Sequence, residues 1–413
     1  MVKGVPLATL PYWADSATLP RFAKLDRDEQ VDVVIVGGGI TGLTAAYLLT
    51  VAGKTVAVVE RDRCAATGSG LTSAHLTMVT DRPLTALVKS FGREHAQAVW
   101  DSGLAAISQI DSIVRNEHID CDYTWVRGYV HSAIAQKPAG ERRLFLEEAR
   151  LASDLGFDAE FVADVPFVGG PGVMFPDQAR FNPRKYLAAL GRAITDRGGL
   201  IFEHTSADEL GDQPTVVKAN GRTVKCAYIV LATHAPVAGI AGAKVFQARL
   251  TPYTSYVIAG RIDNNHIPDA LFWDTANPHH YLRVDRRRDH DVVIFGGEDH
   301  QMGQPSDSDV CFDRLERTLK SMNGRIDITH RWSGQVIETP DGLPYIGETG
   351  DRQFAGTGFS GNGLTFGTLT AMMATDRIIG RRNPWSELFH PGRKKILSAT
   401  WDNIRERLAA FLV

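Results

Sequence analysis

From Val31 to Val36 the chain is apolar at every position but Asp32, and the run ends abruptly at Gly37-Gly38-Gly39-Ile40-Thr41-Gly42. Such a pattern predicts a strand buried on both faces, then a tight turn and a helix reaching Gly53. A second apolar run, Thr55 to Val59, predicts a neighbouring strand that stops at Glu60. Between Pro83 and His118, the positions Leu84, Leu87, Val88, Phe91, Ala96, Val99, Trp100, Leu104 and Ile107 recur at helical spacing, as one long or two shorter amphipathic helices. Short strands are expected over Tyr123 to His131 and a charged helix over Glu141 to Leu155. Asn182 followed by Pro183 reads as the capped start of a helix that runs to Arg197 and stops at Gly198-Gly199. Strands follow at Leu200 to Glu203, Val216 to Lys218, Arg222 to Val224 and Tyr228 to Leu231. Leu250 to Ala259, His280 to Val284 and Asp291 to Phe295 alternate as strands of a second, antiparallel sheet. Helices at Thr368 to Ile379 and Lys394 to Val413 close the chain, and Met1 to Gln30 is an arm without a clear period.

These elements describe an α/β chain in which a Rossmann-type unit is joined to a second, α+β domain built on an antiparallel sheet. At 413 residues two domains are expected. Gly37, Gly39 and Gly42 stand at G-x-G-x-x-G spacing. The first makes the turn, the second lets the backbone approach a pyrophosphate, and the third lets helix and strand pack closely. Glu60, 23 positions after Gly37, ends the second strand where a ribose hydroxyl would be met. The N-terminus of the first helix offers free N–H groups and partial positive charge to the phosphates.

Composition removes several alternatives. With 44% hydrophobic residues and a net charge of −3 there is no basic surplus for nucleic acid or an acidic membrane surface. No apolar run approaches the ~20 residues of a membrane span, and the start lacks a leader-like stretch, so a cytoplasmic protein is expected. Cys64, Cys121, Cys226 and Cys311 are scattered, and His279, His280, His290 and His300 show no ligand spacing, so no metal site is expected.

Three separated stretches resemble the family of D-amino-acid, glycine and sarcosine oxidases, FAD-dependent amine-oxidising flavoproteins. They are the fingerprint with Glu60, the strand-then-A-T-G-like element Ala227 to His234, and Thr339 to Gly347 with the glycine-rich run Gly356 to Gly367. The resemblance implies FAD contacts from Gly37, Gly39, Ile40, Thr41, Gly42, Glu60 and Arg61. It implies others from Ser73, Ala74 and His75, from Thr233, and from Gly358, Gly361, Asn362, Gly363, Leu364 and Thr365, where a helix N-terminus would face the flavin pyrimidine. It also implies a discontinuous FAD domain, about 1–88, 166–243 and 327–413, with a substrate domain from 89–165 and 244–326. Thr72 to Thr77, Ile119 to Asp122 and Arg382 to Trp385 look like a subgroup often fused to a C-terminal Rieske domain; this sequence stops where that domain would begin, and its four cysteines do not supply the Cys/His ligand pairs. Nicotinamide as the cofactor would leave the C-terminal glycine run without a role.

Departures from the family shape the expected chemistry. Its W-x-G-L-R-P stretch, whose Arg clamps a substrate carboxylate, corresponds here to Trp332-Ser333-Gly334-Gln335-Val336-Ile337, with Val336 in the Arg position. Gly334 stands where sarcosine oxidases carry a flavin-linked Cys, and Ile294 where they carry an oxygen-activating Lys. His75 lies one residue from the flavin-linked His of dimethylglycine dehydrogenase-like proteins; a neutral, non-covalent His75 is expected, with a covalent link as the alternative. Tyr253, Tyr256 and Tyr281 fall on strands that roof the active site in the family. Arg283 is either a replacement carboxylate clamp or a surface residue. The expected activity is oxidation of an amine or N-substituted amino acid by hydride transfer to flavin N5. Water would hydrolyse the imine, and O₂ (giving H₂O₂) or a redox partner would reoxidise the flavin, in a monomer or homo-oligomer. The alternative is an FAD-binding electron-transfer or assembly subunit with little turnover.

Overall fold

The computed structural model describes residues 9–134, 140–212, 215–235, 250–303 and 307–393. The segment 394–413, where a last helix is expected, lies outside them. Val33–Val36 is the centre of a six-stranded sheet ordered Tyr345–Gly350, Gln353–Thr357, Tyr228–Leu231, Val33–Val36, Val56–Val59, Leu200–Phe202. All neighbours pair in parallel except the first two. The four residues Val33–Val36 are all buried, as a strand covered on both faces must be.

Helix Ile40–Val51 lies against this sheet, with helices Gly363–Ile378 and Pro183–Asp196 beside it. Its approach is closer than side chains permit: a Cβ on Gly42 would stand 1.8 Å from the Gly37 carbonyl oxygen. Gly37 itself turns at φ +111°, a backbone region that favours glycine. Asn182 caps the helix Pro183–Asp196 as expected, its Oδ1 accepting the N–H groups of Arg184 and Lys185 at 3.1 Å. The helical pattern after Pro83 resolves into two helices, Leu84–Phe91 and Arg93–Asn116, separated by Gly92 at φ +83°.

A larger, mostly antiparallel sheet faces the first. Its order is Asp327–Glu338, Thr251–Ile262, Asp291–Gln301, Tyr281–Arg286, Ala270–Asp274, Thr124–His131, Gly172–Arg180, His75–Leu76. The expected domain limits do not follow this pairing. Asp327–Glu338, Gly172–Arg180 and His75–Leu76 fall within the segments assigned to the FAD domain, yet all hydrogen-bond into the larger sheet. Helix Arg93–Asn116, assigned to the substrate domain, packs on Gly363–Ile378. Apolar periodicity reports that a strand is buried, not which sheet it joins.

The N-terminal arm is anchored. Trp13 is fully buried, and its indole N–H donates to the Thr72 carbonyl at 2.7 Å. Behind it lies Arg283, also fully buried, which corrects both expectations for that residue. Its Nη1 donates to the carbonyls of Ala74 (2.7 Å) and Phe181 (3.0 Å), Nη2 lies 3.4 Å from Asp285 Oδ1, and the guanidinium sits 5.3 Å from the Trp13 ring. It therefore joins the arm, the 72–76 loop and the larger sheet. Asp285 keeps Arg287 and the Tyr12 hydroxyl as further partners. Replacing Arg283 by Leu should lower unfolding stability by about 3 kcal/mol, since two carbonyls and a buried carboxylate each lose a donor. The midpoint of chemical denaturation measures this; an unchanged midpoint would show that the buried charge is not structural.

Candidate active site

A cleft of about 1880 Å³ is lined by residues of both the six-stranded and the larger sheet. That is roughly twice the upper end of common ligand pockets, ~300–1,000 Å³, so it has room for a dinucleotide and a second small molecule. One end is built by Gly37, Gly38, Gly39, Ile40 and Thr41, with Glu60 and Arg61 beside them. Glu60 Oε2 accepts the Gly38 N–H at 2.7 Å and Oε1 accepts that of Asp62 at 2.8 Å, which fixes the carboxylate at the end of its strand. Around Gly39 the space is open: a Cβ there would meet only the Ser69 hydroxyl, at 3.0 Å. Arg61 is largely exposed and paired with Asp62. Gly361, Asn362, Gly363 and Leu364 bring the N-terminus of Gly363–Ile378 to the wall of the same cleft as Ser73, His75 and Thr233. Two helix N-termini and a carboxylate at a strand end, along one cleft with a glycine floor, fit the pyrophosphate, ribose and flavin of FAD.

Four residues expected to touch the cofactor stand behind the wall instead. Gly42 serves the helix–turn contact. Ala74 is fully buried at φ +62°, its N–H donating to Thr72 Oγ1 at 3.0 Å and its carbonyl held by Arg283. Gly358, at φ +75°, leaves room for Thr339, whose methyl a Cβ would approach to 2.3 Å. The Thr365 hydroxyl donates to the Thr77 carbonyl at 3.1 Å. Each shapes the wall without forming it.

His75 lines the cleft with both ring nitrogens engaged: Nδ1 is 3.1 Å from Ser73 Oγ and Nε2 is 3.3 Å from the Leu282 carbonyl. Burial, with Arg283 nearby, pushes its pKa down to about 3, so the ring is neutral. Tyr281 meets it edge-on at 5.7 Å and shares a 2.8 Å hydrogen bond with Ser255. Burial drives the Tyr281 phenol well above its usual range, so it stays protonated. Tyr256, expected beside the flavin, points the other way. It is buried in the second apolar core, stacked on His300 at 5.6 Å and edge-on to Phe312 at 5.1 Å. Neighbouring strand residues face opposite sides of a sheet, and it is Ser255 and Val257 that reach the cleft. Tyr253 is likewise absent from the wall. Ile294 is fully buried within the sheet, whereas Val336 and Gly334 line the cleft.

The sequence reading passed over the acidic half of the wall. Glu141, Asp274, Glu298, Asp299 and Glu338 face the cleft there, with His280 among them. His280 stacks on Phe295 at 5.4 Å; its Nδ1 is 3.1 Å from Asp274 Oδ2 and its Nε2 3.6 Å from Glu298 Oε1. Burial works against charge on His280, but Asp274 and Glu298 outweigh it and hold the pKa above the ordinary value; burial is likewise overcome at Asp274, which is held below its own. Five residues separate Asp274 from His280, a spacing without periodic meaning, and only the turn from Thr275 to His279 brings them together. Among the described residues no group of three or more His, Cys, Asp or Glu is placed to hold a metal ion, and no helix is long and apolar enough to cross a membrane.

Residues 32–377 match the FAD dependent oxidoreductase (DAO) family. YhfW of Bacillus subtilis (strain 168), which carries the name of a Rieske 2Fe-2S iron-sulfur protein, is 30% identical over 392 residues, covering 92% of this chain and 75% of its own. Gamma-glutamylputrescine oxidoreductase of Escherichia coli (strain K12) is 23% identical, over 97% of this chain and 99% of its own. The crystal structure of glycine oxidase from Geobacillus kaustophilus superposes with a TM-score of 0.73 at 17% identity, covering 89% of this chain and 99% of that one. The chain belongs to the DAO family of FAD-dependent oxidoreductases.

Proposed function

We propose that the protein oxidises the CH–NH bond of an amine, or of an N-substituted amino acid, and that its best substrates are held through the amine rather than through a carboxylate. The observation that carries this reading is the charge of the substrate half of the cleft. Val336 lines the wall in the position where the family's Arg would clamp a carboxylate, and the same wall carries Glu141, Asp274, Glu298, Asp299 and Glu338. Of the cations on that part of the wall, Arg82 is directed at the Asp341 carbonyl and the Ser90 hydroxyl, leaving Lys89 and the carboxylate-bound His280. A substrate carboxylate would enter without a fork of donors, while an ammonium group would be drawn in by the field of the wall.

When bound, FAD supplies the hydride acceptor, and the protein supplies position and a dry pocket. His75, neutral and bonded at both nitrogens, fixes the loop that passes beside the ring. Tyr281 and Ser255 donate and accept from a fixed pair. Burial raises the Glu141 pKa despite the hydroxyl of Thr275, at 3.0 Å, so this carboxylate is suited to take the proton an ammonium must lose before it gives up hydride. Ile294, which stands where sarcosine oxidases carry an oxygen-activating Lys, lies inside the sheet and away from the cleft; reoxidation by O₂, giving H₂O₂, or by a cytoplasmic redox partner completes the cycle.

FAD is held without a covalent bond in this reading, because both His75 nitrogens are occupied. Acid precipitation should release the flavin into the supernatant, and His75→Ala should still bind FAD. Flavin that stays with the precipitated wild-type protein but not with His75→Ala would establish the covalent alternative.

For the substrate, losing a buried Arg–carboxylate contact costs on the order of 2–5 kcal/mol, about 30- to 5,000-fold. Anaerobic stopped-flow with primary amines, diamines, N-alkyl amino acids, glycine and D-alanine should show rapid bleaching only with substrates bound through the amine. Glycine and D-alanine should be about 100-fold slower or worse. Rapid bleaching by either would refute the reading, and no bleaching by any compound would favour a structural or electron-transfer flavoprotein.

A further inference from the structure

His234 stands at the third position of the A-T-G-like element, immediately after the strand Tyr228–Leu231, where the family pattern has glycine. The backbone there takes the glycine conformation regardless, φ +63°, and the turn closes on itself, the Ala235 N–H donating to the Thr233 carbonyl at 2.7 Å. A three-residue turn with positive φ is the strained form, and a side chain pays for it only where it is used. The turn is pinned at both sides. The Thr357 hydroxyl donates to the His234 carbonyl at 2.7 Å, and the neighbouring Ala232 carbonyl oxygen lies 2.4 Å from where a Cβ on Gly37 would be.

The ring lines the cleft and hydrogen-bonds to the backbone of Gln335, a bond that favours the protonated ring, as a carbonyl acceptor does. Its Nε2 is buried and has no hydrogen-bond partner among the described residues. Nδ1 therefore carries the proton given to Gln335, and Nε2 presents a lone pair. Burial lowers the pKa of His234, which keeps the ring neutral at physiological pH. A buried acceptor left open on the wall calls for a donor from whatever fills the cleft.

The position of the turn says which donor. His234 lies between the glycine loop, which receives the pyrophosphate, and the strand Gln353–Thr357, which leads into the helix under the flavin pyrimidine. Along FAD, the ribose hydroxyls belong at Glu60 and the pyrimidine C2 carbonyl oxygen at the second helix N-terminus. The hydroxyls of the ribityl chain lie between. We propose that His234 Nε2 accepts a hydrogen bond from a ribityl hydroxyl of FAD and so sets the position of the isoalloxazine in the cleft.

The test separates this contact from the rest of the dinucleotide. Full-length protein stripped of flavin is titrated with FAD and with ADP, which carries the pyrophosphate and adenosine but no ribityl chain. His234→Gly suits the backbone, so it should keep the thermal stability of the wild type and its ADP affinity while FAD affinity falls about tenfold. His234→Gln, which retains an acceptor, should recover part of that loss. Equal loss of FAD and ADP binding would show that the turn only shapes the pyrophosphate loop and would overturn the proposal. Unchanged FAD affinity in His234→Gly would overturn it as well, and a shift confined to substrate KM would assign Nε2 to the substrate instead.

Discussion

The guanidinium of Arg283 is the contact on which the geometry of the cleft depends. A fully buried cation is costly, and burial pulls its pKa down to about 10 even with Asp285 beside it. It persists because it completes several groups at once: the carbonyl of Ala74 in a left-handed turn, the carbonyl of Phe181 at the end of a strand, the carboxylate of Asp285 and the face of Trp13. The loop from Thr72 to Leu76 carries Ser73 and His75 along the cleft, and Arg283 ties its left-handed turn at Ala74 to the larger sheet, beside the strand pairing of His75 and Leu76 with Arg180 and Ala179. A cation expected either as a substitute carboxylate clamp or at the surface thus acts one layer behind the cleft wall.

The cleft then divides by charge. At the Gly37 end, backbone N–H groups and a helix terminus offer positive potential to phosphates. At the other end the wall is carboxylate-rich, and the His280 imidazole is held between Asp274 and Glu298. In the proposed function this polarity orients a dinucleotide and a cationic substrate in one direction, with the reacting ring between them.

What the sequence made legible followed from local rules. The strand–turn–helix of Val33 to Val51, the Asn182 cap and the central strand Tyr228–Leu231 each rest on residues adjacent in the chain. Glu60 was readable because its spacing from Gly37 is a property of one βαβ unit. What was not legible depends on pairing at a distance. Alternation marks Tyr256 as a strand residue but does not say that Ser255, its neighbour, takes the cleft side. Arg283 looks like any strand arginine until the 72–76 loop and Trp13 close over it. Asp274, His280 and Glu141 come from separate segments, and His234 looked like an imperfect match to a glycine until its φ and its open nitrogen were seen together.

The central claim is that the carbon next to nitrogen gives up hydride in this cleft. The rate of anaerobic flavin reduction by an amine deuterated at that carbon, compared with the unlabelled amine, tests it most directly. A severalfold slower reduction with the deuterated compound is the predicted result. A flavin that remains oxidised with every amine, or one reduced at rates indifferent to deuterium at saturating substrate, would contradict it.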